Sequence, residues 1–391
     1  MDLAKLFEFQ SPARIVFGAN AVDKLGEEIA GLNGKKVLVV TDEGVVNAGL
    51  LDKITGKLKD ASIDYAVYDK VEANPRLANI HEGADLFKEE NCDLIIGLGG
   101  GSPMDAAKAI GVKATHEGDV ADYTRRGGKP VQDILPPLIA IPTTSGTASE
   151  VTWFSVLTDP DEKTKIVIAT PCIAADVSLV DPVMTLTMPP QVTAFTGMDA
   201  LTHAVEAYVS IKATPISDTL AFKAIELIGS NLREAVGNGD NLEARSNMMM
   251  GSTIAGVAFA NSSVGLVHAV AHALGGQFNI AHGIANAFML PLVMNYNLIA
   301  CPSKYADIAL ALGEDVEGLN DMEAARIAVE AVMDLSEDIG IPKDLKKLGA
   351  DPSLIDALAD ESASQGGSYP NNPRKVRKAD VVAMFKEAFE E

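Results

Sequence analysis

Two textures divide this chain. Up to about residue 188, short apolar runs alternate with amphipathic stretches. KKVLVVTD (35–42), AVYDKV (66–71), CDLIIGLGG (92–100) and the opening of PLIAIPTTSGTASEVT (137–152) read as strands. AVDKLGEEIAGL, LLDKITGKLKDA and IHEGADLFKEEN, between them, carry apolar residues at helical spacing. Strand and helix in alternation predict βαβ units around a parallel sheet. FQSPARIVFG, KIVIAT and VSLVDP read as additional strands. Beyond Met188-Pro189-Pro190 the chain turns Ala-, Leu- and Met-rich and β-branched runs almost vanish. Helices are expected over roughly 191–211, 215–236, 241–260, 261–275, 283–299, 304–312, 322–339, 353–363 and 378–390. The boundary falls at Pro189-Pro190, because proline disfavours helix in the residue before it and suits a first helical turn. The expectation is an α/β half over 1–188 and an all-helical half over 189–391.

Composition narrows the function. A length of 391 residues suits two domains, and 47% hydrophobic with 22% charged residues is a globular balance. The formal charge of −22 argues against nucleic acid and anionic membranes, which need a basic footprint. Cys92, Cys172 and Cys301 are few, odd in number and far apart, so they suggest neither a disulfide framework nor a zinc motif. That usage, with no signal-peptide core in MDLAKLFEFQ and no apolar run of about 20 residues, points to a cytoplasmic protein.

IIGLGGGSPMDAAKA (95–109) reads as a strand, then Gly97, Gly99, Gly100 and Gly101, then Ser102-Pro103 opening a helix. Ser102 is the expected N-cap and Pro103 the expected first helical residue. Glycine lets backbone approach a phosphate, and free N–H groups at a helix start suit a pyrophosphate. A tight βα turn with no ligand explains the glycines equally well, and Ser102 occupies the third position of the G-x-G-x-x-G pattern. Asp42 ends a strand, where a carboxylate can accept ribose hydroxyls and repel a 2′-phosphate. It lies upstream of the glycines, so the fold would be a variant of the Rossmann type; a simple turn former is the alternative. PTTSGTASE (142–150) adds Thr143, Thr144, Ser145, Thr147 and Ser149, which can bond phosphate or simply face solvent.

The helical half holds the other chemistry. From Ser246 to Ser303 there is no Asp, Glu, Lys or Arg, yet His268, His272 and His282 lie inside. A charge-free stretch of that length is core, and polar groups in core need partners. In GMDALTHAVEAYVS (197–210), Asp199, His203, Glu206 and Ser210 share one helical stripe. Such a stripe usually faces solvent; the apolar setting of His268 and His272, one turn apart, weakens that reading. One carboxylate and several imidazoles without sulfur suit Fe²⁺, Zn²⁺, Mn²⁺, Co²⁺ or Ni²⁺. Not all four histidines need ligate; one can carry protons or support a ligand from outside.

GLGGGSPMDAAK (97–108), PTTSGTASEVT (142–152), LVDP (179–182), GMDALTHAVEAYVS (197–210), GLVHAVAHALGGQFNIAHGIANA (265–287) and NPR (372–374) together resemble the iron-containing (group III) alcohol dehydrogenases, within the dehydroquinate synthase-like superfamily. The resemblance implies a dinucleotide-binding α/β domain, a helical metal-binding domain, and hydride transfer between NAD and a small alcohol or aldehyde whose oxygen the metal polarises. It implies Asp199, His203, His268 and His282 as ligands of a divalent ion, Fe²⁺ with Zn²⁺ as the alternative. His272 falls at a non-ligand position near nicotinamide and substrate. Asp42, Gly99, Gly100, Ser102, Asp105, Thr143, Thr144, Thr147, Ser149, Lys165 and Leu179 fall on cofactor positions. Phe154, Phe259 and Ser368 fall where the substrate pocket is lined. A homo-oligomer is implied as well. A glycerol dehydrogenase-like or dehydroquinate synthase-like activity is the near alternative, and the charge-free stretch offers the latter's anionic substrates no basic pocket. A metal-dependent hydrolase and a nucleotide sensor are the remote ones.

Overall fold

LIIGLG, the run entering the glycine turn, is apolar at successive positions because it is covered on both faces. Leu94, Ile96 and Leu98 pack into one core and Ile95 into another, as expected for a central strand of a parallel sheet. In the computed structural model, residues 6–132, 134–159, 164–364 and 369–390 are described. The chain divides into two units: Ser11–Met188, and the stretch up to Gln10 together with the chain from Pro189 onward.

In the first unit the elements run β1 (Arg14–Phe17), α1 (Leu25–Gly31), β2 (Lys36–Val40), α2 (Glu43–Asn47), α3 (Leu50–Asp60), β3 (Asp64–Tyr68), α4 (Leu77–Glu89), β4 (Leu94–Gly99), α5 (Gly101–Thr115), β5 (Leu138–Pro142), β6 (Phe154–Asp159), β7 (Thr164–Ala169) and β8 (Val177–Val180). The sheet has the order β1-β8-β5-β4-β2-β3 and every pairing is parallel. Chain order reverses between β2 and β4, and the carboxyl ends of strands at such a switch point are where open α/β sheets bind ligands. Register places Val40 opposite Gly97, and Gly99 opposite Pro142. The segments following β2, β4 and β5 therefore leave the sheet at one edge. They carry Asp42, the glycine turn and Thr143.

KIVIAT does form a strand, but outside the main sheet. As β7 it pairs antiparallel with β6, from Phe154 opposite Ala169 to Asp159 opposite Thr164. The sequence reading missed β6, because its run follows the hydroxyl-rich turn with no second breaker between them.

The second unit is helical among the described residues: α6 (Pro190–Val209), α7 (Pro215–Gly237), α8 (Leu242–Ser262), α9 (Leu266–Phe278), α10 (His282–Asn297), α11 (Pro302–Ala311), α12 (Asp321–Asp338), α13 (Ile355–Ser364) and α14 (Lys378–Glu390). The helix expected at 261–275 starts later, at Leu266. Ser263 adopts a left-handed φ of 67°, and α8 and α9 meet at 103°. No helix among the described residues is long and apolar enough to cross a membrane. The N-terminal stretch joins this unit through a paired contact. Gln10 N–H donates to Asn261 Oδ1 at 2.7 Å, and Asn261 Nδ2 donates to the Gln10 carbonyl at 2.9 Å.

Candidate metal centre and nucleotide turn

The stripe on α6 faces inward: Asp199, His203 and Glu206 are all buried. α9 contributes His268 and His272, and α10 begins with His282. Three of these converge. Nε2 of His282 is 3.5 Å and Nε2 of His268 is 3.9 Å from Asp199 Oδ1, and one donor atom from each of the three lies within 4.8 Å of the others. Ligand atoms about 2.1 Å from one ion stand up to about 4.2 Å apart, so both spacings to Asp199 suit a shared cation. The ring of His203 packs beside this group, stacked on Phe259 at 4.3 Å and on His268 at 4.5 Å between centroids. His272 is half-buried, with its ring 5.1 Å from that of His282.

Two residues complete the cluster that sequence reasoning did not assign. Asn286, on α10, donates from Nδ2 to Asp199 Oδ1 at 2.6 Å and lies 3.3 Å and 3.1 Å from Nε2 of His268 and His282. Its Oδ1 is buried without a hydrogen-bond partner. Glu206 meets Nδ1 of His268 at 2.6 Å. Asn286 could have been suspected, since it lies in the charge-free stretch four residues after His282. Glu206 stood in the stripe, but nothing local shows what it faces.

The electrostatics favour a cation. Burial alone would raise the Asp199 carboxyl, yet the neighbouring His203 and His282 and the Asn286 amide outweigh it and hold it below its ordinary value. Burial and the neighbouring imidazoles keep His268 far below the usual histidine range, hence neutral. Burial pushes Glu206 up to about 7, against the pull of backbone N–H groups at the start of α9. A buried carboxylate set beside the neutral His268 and the Nε2 atom of His282, with no sulfur in the group, fits a divalent ion.

In the first unit, Gly99 has a φ of +148°, and a Cβ there would lie 2.6 Å from Pro103 Cγ. One on Gly101 would lie 2.8 Å from Thr147 Cγ2. Both positions admit only glycine without movement. The expected Ser102 cap is corrected: Gly100 is the N-cap, and Ser102 is the second residue of α5. Pro103 then falls at the third position, where a missing N–H still costs no helical bond. The Ser102 hydroxyl donates instead to the Ala73 carbonyl at 2.6 Å. Asp42 caps α2, accepting from Val45 N–H at 2.9 Å, and burial raises its carboxyl.

Thr143 N–H donates to the Gly99 carbonyl at 2.9 Å, tying β5 to the glycine turn. Thr144 is half-buried beside Gly100. Thr147 Oγ1 accepts from Ser149 N–H at 3.3 Å, and Ser145 Oγ is buried without a partner. Ser149 and Asp105 bond each other at 2.6 Å, so their polar atoms are engaged within the fold. Lys165 donates to Asn74 Oδ1 at 2.6 Å and Thr158 Oγ1 at 2.9 Å, and burial lowers its amine to about 8. Leu179 is fully buried in β8, which leaves only its backbone to offer. Phe154 opens β6, its ring 5.7 Å from Trp153 and beneath Arg125. Ser368 lies outside the described residues.

Comparison with known proteins decides the family. The iron-containing alcohol dehydrogenase family matches residues 12–182, and the C-terminal region of the Fe-containing alcohol dehydrogenase family matches 193–389. The chain belongs to the iron-containing alcohol dehydrogenase family. It is 46% identical to the 1,3-propanediol dehydrogenase of Citrobacter freundii, over 98% of this chain and 99% of that protein. It is 39% identical to the NAD-dependent methanol dehydrogenase of Bacillus methanolicus, over 97% of this chain and 99% of that one. Its fold superposes on a crystal structure of 1,3-propanediol oxidoreductase with a TM-score of 0.95 at 45% identity, covering 98% of this chain and all of the other. This family member is therefore an oxidoreductase of the alcohol dehydrogenase class, which favours that reading over the hydrolase and the nucleotide sensor.

Proposed function

We propose that the chain is a metal-dependent, NAD(H)-linked alcohol dehydrogenase that also reduces aldehydes, acting on small alcohols or aldehydes. The convergence of Asp199, His268 and His282 on one point carries this reading. Residues 1–188 would bind the dinucleotide and 189–391 the ion. The names of its relatives, 1,3-propanediol and methanol dehydrogenases, favour short substrates.

Asp199, His203, His268 and His282 would hold the ion, Fe²⁺ as resident and Zn²⁺ as substitute. When bound, the ion supplies Lewis-acid polarisation of the substrate oxygen and NAD supplies the hydride acceptor. Gly99, Gly100, Gly101 and Ser102 present the first turn of α5 to the pyrophosphate. Asp42, at the end of β2, accepts ribose hydroxyls and repels a 2′-phosphate, favouring NAD over NADP. Asp105, Thr143, Thr144, Thr147, Ser149, Lys165 and Leu179 shape or contact the cofactor site. His272, half-buried beside His282, carries a proton between the reacting oxygen and solvent. Phe259, stacked on His203, gives the substrate an apolar wall. Three free cysteines suit a reducing cytoplasm, and a homo-oligomer is the working assembly.

A panel of alcohols and aldehydes, run with NAD(H) and NADP(H) on protein reconstituted anaerobically with Fe²⁺ and separately with Zn²⁺, tests this. Turnover of short substrates with NAD(H), dependent on added metal, is expected. Equal activity in metal-free protein would overturn the reading.

A further inference from the structure

Glu206 shares the inward face of α6 with Asp199 and His203, but its carboxylate reaches the start of α9. That helix is capped by Gly265, which has no side chain to offer its free N–H groups. Glu206 takes over the task from another helix. Its Oε1 accepts from Val267 N–H at 2.6 Å, and its Oε2 meets His268 Nδ1 at 2.6 Å. Glycine at 265 is what admits it, since a Cβ there would stand 3.0 Å from Oε1. Both side chains of the pair are 4% exposed, so water does not compete for the contact.

The opposite nitrogen of the same ring looks the other way. Nε2 of His268 lies 3.9 Å from Asp199 Oδ1 and 3.3 Å from the Asn286 amide nitrogen. A neutral imidazole carries one N–H, and the partner of one nitrogen decides the state of the other. We propose that Glu206 is a positioning residue of the metal centre: by accepting a hydrogen bond from Nδ1–H of His268, it fixes the tautomer whose Nε2 lone pair faces Asp199 and His282. Asn286, a donor, supports the same tautomer from the far side. The inference rests on the metal-site reading above, but it makes a claim about the metal-free protein as well.

Glu206→Gln is the informative change. Its amide oxygen can keep the Val267 N–H, and its amide nitrogen then donates to Nδ1. The His268 proton is driven to Nε2, where the ion is needed. Apo protein is titrated with Zn²⁺ and with Co²⁺ against a chromophoric chelator, and the protonated nitrogen of His268 is read from long-range ¹H–¹⁵N spectra. Wild type is expected to show Nδ1–H and bind one ion per chain. Glu206→Gln should show Nε2–H and bind about 10- to 100-fold more weakly, with an apo melting temperature near wild type. Glu206→Asp should recover part of the affinity. Wild-type affinity in Glu206→Gln, or Nε2–H in the wild type, overturns the proposal. If wild type binds no ion at all, the metal-site reading falls, and the tautomer in the metal-free spectra still judges Glu206. If Glu206→Gln does not fold, the wild-type tautomer and the Asp variant decide.

Discussion

Nζ of Lys108 donates to both the carbonyl and the hydroxyl oxygen of Ser149, each at 2.7 Å. The same ammonium donates to the Phe154 carbonyl at 2.8 Å and lies 3.7 Å from Asp105 Oδ1, with its side chain 0% exposed. The Ser149 hydroxyl in turn donates to Asp105 Oδ1 at 2.6 Å. One buried cation thus ties α5, the helix behind the glycine turn, to the hydroxyl-rich segment that follows β5.

Lys108→Met should be among the most damaging single changes in the first unit. It removes the cationic partner of a buried pair and leaves the Asp105 carboxylate with only its hydrogen bonds from Ser149 and Val156 N–H, a loss of about 3–5 kcal/mol. The urea midpoint should fall accordingly. A midpoint near wild type would show that the network is not stabilising the fold.

Lys165 should be chemically distinct among the lysines. Burial lowers its amine from the ordinary 10.5 to about 8. The folded chain therefore binds this proton less tightly than the unfolded one. The group opposes folding below about pH 8, and that penalty fades as pH rises toward 10.5. Near pH 8 about half the amine is neutral, so a small acylating reagent should label Lys165 ahead of exposed lysines, as peptide mass spectrometry would read. NADH should slow the labelling if the proposed cofactor role holds. Labelling that rises only with the bulk lysines above pH 10 would contradict the environment described.

Gly283, next to His282, presses on α6. A Cβ there would stand 2.3 Å from the Phe195 carbonyl oxygen. Gly283→Ala should push α10 off α6, costing about 1–3 kcal/mol and weakening ion binding through His282. Gly275→Ala is the control, with Ile280 O at 3.4 Å as its nearest neighbour. Inside a helix that change should be neutral or stabilising by up to about 1 kcal/mol. Thermal melts and metal titrations of the pair separate the two effects.

His268→Ala should abolish metal retention and lower kcat/KM by about 10³-fold or more, the several kcal/mol a Lewis acid contributes, while NADH binding persists. His272→Ala should retain metal yet lose roughly 10²-fold in rate, the low end for a lost general acid–base group. Metal analysis beside NADH fluorescence distinguishes the cases. Full metal content in His268→Ala would remove that residue from the ligand set.

Ion binding should also register as stability. Zn²⁺ at about 100 times its Kd should add about 2.7 kcal/mol to folding, and a chelator should remove it. Asp199→Ala should lose this response. A wild-type melt indifferent to both additions would argue against the site.

Much of the fold was legible before any coordinates. The strands around KKVLVVTD and CDLIIGLGG are apolar at successive positions because both sheet faces are covered, and that exclusion is written locally. The same holds for α7 and α14, whose apolar spacing places their ends within a residue of those observed. Where the reading slipped, a local signal was missing. Ser263 takes a left-handed backbone that its residue type does not announce. The cap at Gly100 rather than Ser102 depended on how β4 ends.

The sequence by itself determined where charge is excluded, which segments bring histidines and a carboxylate to that region, and where backbone must pass without a Cβ. Those are properties of neighbouring positions, set by helical and strand period and by the cost of burying polar groups. Only the tertiary structure decided which polar atoms meet. Asn286 reaches Asp199 across 87 positions, Glu206 meets His268 across 62, and Lys108 finds Ser149 across 41. Each partner alone resembles any buried polar residue, because the bond that gives it a role requires another helix or loop to be packed against it.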